Sequence, residues 1–332
     1  MLVGYPTRAE WLNDYNEPGT KKILKASLKH FDIFLNEIEK KELDFFEYVR
    51  NTDEMELFRI IDKIKSQLAA KLSPISAKYY LGHIMTWFRA NGVSIDQQKF
   101  KTKIRWNKVH KELKYTPGRE EIQKIIDNSL KLEYKLFYHF AVATGARQSE
   151  ILTLKRKDVD LNNDVPSVHF LAENTKTKQE RYSFLTPECT DLLKKFYLSK
   201  EINDNDPIFH IHLVSLQMQF HGLRKRLGNL DKYSSGTSKL SIHRLRAYTK
   251  RQLSRNAGDD FAHLILGHAE GLGTYDGDNI QALREDYTKA IPDLTISLDK
   301  KGKEIAEKLS EQNKLLQQEI ELLKQKIDHD EE

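Results

Sequence analysis

Residues 98–115, QKFKTKIRWNKVHKELKY, gather Lys99, Lys101, Lys103, Arg105, Lys108, Lys111 and Lys114 around Trp106 and Tyr115, and they separate two stretches of apolar, helically spaced sequence. A chain of 332 residues is longer than one hydrophobic core usually serves, so the break reads as a domain boundary near Lys108 to Tyr115. Such a run can neutralise several phosphates, and each contact would release counterions and make binding salt-dependent. By composition alone it is equally a solvated linker. The formal net charge of +5 is modest for this length, so the clustering matters more than the total.

From Glu10 to about Val93 the spacing predicts several helices. Ile23, Leu24, Leu28, Phe31 and Phe34 form one apolar stripe, and Tyr80, Ile84, Trp87 and Phe88 form another that Asn91-Gly92 ends. Beyond the boundary, Thr116 is a candidate N-cap, with Pro117 in the first turn and Glu120 and Glu121 near the positive end. The apolar segment KLEYKLFYHFAVATG breaks at Thr144-Gly145 ahead of a short helix in ARQSEILTLKR. In SVHFLAENTKTKQERYSFLTP, Val168 and Phe170 alternate before a polar turn and Tyr182 and Phe184 follow it, the pattern of a β-hairpin. Helices resume after Pro187. The fold expected is mainly α in two domains, the second with a small antiparallel β-sheet.

Hydrophobic residues at 39% suffice for real cores, while 31% charged residues, with no apolar run of about eighteen, argue against a membrane span. The N-terminus MLVGYPTRAEWLNDY lacks the layout of a secretory signal, and a single cysteine, Cys189, excludes an internal disulfide. A reducing, cytoplasmic setting is expected. Neither a Cys/His cluster of zinc spacing nor a glycine-rich phosphate loop is present in the sequence, so no metal or cofactor is expected.

Three motifs carry candidate chemistry. In ATGARQSEI, Arg147 follows the Thr-Gly break, and Glu150, Ile151 and Leu154 follow it at helical spacings. A planar, permanently charged guanidinium at the mouth of that helix suits a phosphate diester, although a surface pair with Glu150 is the simpler reading in isolation. In SIHRLRAYTKRQL, Ser241 can cap a helix whose first turn holds His243, with Arg246 three residues on and on the same face. Its first-turn N–H groups favour an anion as well; a solvated basic helix with Arg244, Lys250 and Arg251 is the plainer alternative. In LILGHAEGLGTY, Phe261, Leu264 and Ile265 mark a buried face and Gly267 a helix stop, with His268 directly after it, where a packing or capping role is the ordinary one.

Taken in order, within TGAR-x-x-E-I-x-x-L and LILGH, these motifs resemble the tyrosine recombinases over roughly residues 116–296; the N-terminal part matches in position and helical character only. The resemblance implies a helical core-binding domain over 1–110, a catalytic domain over 111–298 and a helical tail over 299–332. It implies that Arg147 and Arg246 clamp the scissile phosphate. His243 then transfers a proton or hydrogen-bonds there, and His268 donates to the phosphate. Lys176, with Lys178 in reserve, protonates the departing 5′ oxygen. Glu150 supports the site without reacting. DNA would be cut and rejoined through a 3′-phosphotyrosine, with no metal or cofactor.

For the nucleophile, Tyr275 is preferred to Tyr287. Tyr275 lies among Gly271, Gly273 and Gly277, in a context with little packing, whereas Tyr287 falls on an apolar stripe with Ile280, Leu283 and Ile291. Tyr275 follows His268 by seven residues, slightly fewer than relatives leave. The partners implied are double-stranded DNA attachment sites, bound as a homotetramer, with the first domain as half of a clamp and no membrane. LREDYTKAIPDLTI looks like archaeal virus or plasmid integrases in particular. Alternatives are a type IB topoisomerase and a non-catalytic DNA-binding relative. The tail carries an apolar stripe from Ile305 to Ile327, which needs a surface on its own domain or on a neighbouring protomer.

Overall fold

The computed structural model describes residues 4–106, 112–267 and 279–297 and divides the chain into two compact units, Met1–Glu112 and Leu113–Glu332. Lys108, Lys111, His268, Tyr275 and the tail stripe lie outside the described residues.

The first unit is built of α1 (Arg8–Asn13), α2 (Pro18–Glu37), α3 (Glu42–Asn51), α4 (Glu54–Lys71), α5 (Pro74–Ala90) and α6 (Gln97–Lys103). Local chemistry starts these helices. Thr7, Asp53, Ser73 and Asp96 accept first-turn N–H groups as N-caps, and Pro18 and Pro74 enter first turns where no N–H is needed. The core is aromatic: Phe31 meets Phe45 and Phe88 edge-on at 5.4 and 5.5 Å. Ile23, expected on the buried stripe, is 46% exposed; it precedes Leu24 by one residue, about 100° round the helix from the face that Leu24, Leu28 and Phe31 bury. Within the basic run, Lys99 pairs with Glu54 at 2.8 Å, whereas Lys101, Lys103 and Arg105 are exposed.

The second unit follows as α7 (Arg119–Asp127), α8 (Leu132–Thr144), α9 (Gln148–Leu152), β1 (Val159–Asp160), β2 (Ser167–Phe170), β3 (Arg181–Phe184), α10 (Pro187–Ser199), α11 (Leu213–Arg226), α12 (Ile242–Ala257), α13 (Asp259–Leu266) and α14 (Ile280–Leu294). The strands form an antiparallel sheet in chain order, with Val168 opposite Ser183 and Phe170 opposite Arg181. The expected hairpin is therefore present, joined by a two-residue strand too short to carry a sequence pattern. Gly118, not Thr116, occupies the N-cap of α7. The Pro117 carbonyl is already taken by Nη2 of Arg251 at 3.2 Å, and the helix begins after it. Helix α8 is buried from Leu136 to Thr144 and packs against α10 and α12, and α12 also lies against α13 and α14. No helix among the described residues is long and apolar enough to cross a membrane.

Candidate active site

The turn between α8 and α9 is shaped by one glycine. Gly145 adopts φ +59°, and a Cβ there would stand 2.4 Å from Cδ2 of Leu266 and 3.1 Å from Cγ2 of Thr249. Only glycine meets both the left-handed backbone and the close approach of α12 and α13. Thr249 reinforces the turn by donating to the Val142 carbonyl at 2.7 Å. The chain leaves this turn at Arg147, the N-cap position of α9, whose backbone N–H donates to Oε2 of Glu150 at 2.9 Å while Nη1 donates to Oε1 at 2.7 Å. The pairing that by itself would make Arg147 ordinary is present, and it fixes the guanidinium at the helix mouth.

Helix α12 brings the second arginine to the same place. Arg246 is 5% exposed; Nη1 donates to the Gly145 carbonyl and Nη2 to the Leu266 carbonyl, both at 2.7 Å. Leu266 ends α13, so Arg246 satisfies one of the carbonyls that a helix C-terminus leaves open. A third arginine takes another: Nε of Arg181, on β3, donates to the Ile265 carbonyl at 3.1 Å, and Nη2 bonds Glu150 at 2.6 Å. Gly267 then turns the chain at φ +69° immediately before His268.

The electrostatics follow from three guanidiniums sharing one carboxylate among the described residues of this cluster. Burial would raise the Glu150 carboxyl, but the charge of Arg181 and the hydrogen bonds from Arg147 outweigh it and hold it below the usual range. Arg246 is pushed down to about 9, first by burial and then by Arg147 and Arg181, and it still carries its charge at neutral pH. His243 is exposed at the rim of this cluster, and its imidazole is lowered by partial desolvation and then by the charges of Arg246, Arg244, Arg147 and Lys114. A site with this surplus of positive charge stabilises an anion, and a histidine held neutral beside it can accept a proton.

The structure thus brings Arg147, His243 and Arg246 together. Ser241 holds the N-cap position of α12 but makes no side-chain capping bond, so the expected cap is absent and the first-turn N–H groups are not closed by it. Lys176 and Lys178 are exposed on the loop between β2 and β3, which Thr175 braces through bonds to Ala172 and Gln179. Tyr287 is fully buried and donates to the Ala143 carbonyl at 2.9 Å. Arg181 escaped the reading of the sequence: an arginine opening a strand carries no local sign that it will be buried against a carboxylate thirty-one residues away.

Residues 118–274 match the phage integrase family. Tyrosine recombinase XerA of Saccharolobus solfataricus is 26% identical over 281 residues, covering 82% of this chain and 87% of that protein. Tyrosine recombinase XerC of Staphylococcus epidermidis is 26% identical over 196 residues, covering 55% of this chain and 64% of that one. Among solved structures, XerH site-specific recombinase bound to difH aligns at TM-score 0.55 with 20% identity, over 86% of this chain and 78% of that one. A lambda integrase (75–356) dimer on a COC' core site aligns at 0.57 with 16% identity, over 83% of this chain and 100% of that one. These structural likenesses show the fold. The phage integrase match contains Arg147, Lys176, His243, Arg246 and His268 and ends one residue before Tyr275.

Proposed function

We propose that this chain cleaves and rejoins DNA by transferring a phosphodiester to Tyr275 and back. It is a tyrosine-type site-specific recombinase. The observation that carries this reading is the convergence of Arg147, His243 and Arg246 in a segment matching the phage integrase family, supported by the tyrosine recombinase XerA along most of the chain. The two arginines stabilise charge on the non-bridging oxygens as the tyrosine oxygen attacks phosphorus. A tyrosine hydroxyl is mostly protonated at neutral pH, and His243 takes its proton in this reading. Lys176 gives a proton to the departing 5′ oxygen, and His268 hydrogen-bonds the phosphate. Bond energy kept in the tyrosyl phosphate lets rejoining proceed without ATP.

The burial of Tyr287 supports Tyr275 as the nucleophile, because its hydroxyl could reach a phosphate only by leaving the core. Exposed Lys101, Lys103 and Arg105 supply phosphate contacts from the first unit. Action as a homotetramer on paired attachment sites, with the tail after Lys300 joining protomers, and integration or excision of an archaeal virus or plasmid complete the reading; the segment LREDYTKAIPDLTI supports the latter. The test is a pool of nicked duplexes of randomised sequence in metal-free buffer. The protein should become covalently attached to a recoverable subset of sequences, and Arg147→Ala should slow attachment about a hundredfold or more. Attachment to no sequence would reject the reading.

A further inference from the structure

Glu150 serves two arginines at once. Its Oε2 accepts from Nη2 of Arg181 at 2.6 Å and from the Arg147 backbone at 2.9 Å, while Oε1 accepts from Nη1 of Arg147 at 2.7 Å. Glu150 and Arg181 are buried, and Arg147 is partly exposed, with no bond to its Nε or Nη2 among the described residues. A carboxylate paired with Arg147 alone would cancel the charge that a phosphate needs from that guanidinium. Arg181 neutralises the same carboxylate from the buried side, so that Arg147 keeps a net positive charge on its open side.

The setting of Arg181 is built for this. Its guanidinium lies 4.5 Å over the Phe170 ring, and the Gly267 backbone passes so close that a Cβ there would stand 2.9 Å from Cδ of Arg181. Its Nη1 is buried with no partner among the described residues. An orphaned buried donor is destabilising, so packing alone gives no reason for an arginine here. We propose that Arg181 is a positioning residue for phosphate capture: by neutralising Glu150, it leaves the charge of Arg147 available to a phosphate oxygen. The inference rests on the recombinase reading for the identity of that phosphate as DNA.

The experiment uses the full chain with inorganic phosphate as probe, following the Nε–H resonance of Arg147 by NMR, assigned through its loss in Arg147→Lys. Arg181→Met should weaken phosphate binding at this resonance by about tenfold or more, because Glu150 then pairs with Arg147 alone. Arg181→Lys, which keeps the charge, should stay within about threefold of the parent, and adding Glu150→Gln to Arg181→Met, which removes the carboxylate but leaves an amide oxygen to accept from Arg147, should recover about threefold or more of the lost binding. Unchanged binding in Arg181→Met overturns the proposal, as does loss of binding in Arg181→Lys or no recovery in the double variant. If Arg181→Met does not fold, Arg181→Gln, which removes the charge and keeps a hydrogen-bonding side chain, replaces it in both variants under the same criterion. Covalent attachment to the nicked duplexes is followed in parallel. Attachment without the phosphate effect overturns only the role of Arg181, and the phosphate effect without attachment overturns only the recombinase reading.

Discussion

Nη1 of Arg246 donates to the Gly145 carbonyl at 2.7 Å, fastening α12 to the turn that delivers Arg147. The two arginines are 99 positions apart in the chain, yet one turn fixes both, and the properties of that turn set the geometry of the site.

Gly145→Ala should therefore be severe. It places a Cβ in the left-handed region and against Leu266, and the two effects together should lower stability by about 2–5 kcal/mol. Gly228→Ala is the control, with φ +72° but nothing within 4 Å, and it should lose only about 1–2 kcal/mol. Chemical denaturation of both variants checks this; equal losses would mean that the contact with Leu266 does not matter.

Tyr287→Phe removes the hydroxyl that satisfies the Ala143 carbonyl, and stability should fall by about 1–3 kcal/mol. The variant should still form the covalent adduct at the parent rate. Denaturation and adduct trapping on one preparation separate the two effects, and loss of the adduct in a folded protein would move the nucleophile to Tyr287.

Acid should act through Glu150. Its folded carboxyl lies below the ordinary 4.5, so the folded state binds the proton less readily than the unfolded one. The stabilisation it gives is complete above about pH 4.5 and is lost as pH falls through the depressed value. Glu150→Gln should be less stable than the parent by on the order of 3 kcal/mol at pH 7, and the gap should narrow as pH falls below about 4.5. A gap independent of pH would contradict the charge-based role.

Neutralising Lys101, Lys103 and Arg105 together should weaken DNA binding and reduce the slope of log affinity against log salt by about 2 to 3. Lys99→Gln should change the slope less, since that lysine is already paired with Glu54. Filter binding across a salt series gives both numbers, and an unaltered slope in the triple variant would remove these residues from the DNA interface.

Much of the fold was legible because periodicity and punctuation are local. The stop at Gly267, the break at Thr144-Gly145 and the strand alternation around Phe170 each correspond to an observed feature. Helix starts were less so. Thr116 and Ser241 have the right chemistry for caps, but the Pro117 carbonyl is engaged by Arg251 and Ser241 makes no capping bond. The meeting of Arg147 and Arg246 was implied only by family resemblance, since nothing local links α9 to α12. Arg181 was invisible for a related reason: its role depends on a carboxylate and a helix-end carbonyl that only the tertiary fold supplies.

The most direct measurement is mass spectrometry of the protein recovered from nicked duplex DNA after proteolysis. The account predicts a nucleotide-bearing phosphate on Tyr275, with no adduct formed by a folded, DNA-binding Tyr275→Phe protein. A phosphate on Tyr287 or any other residue, or an adduct that survives in Tyr275→Phe, would contradict it.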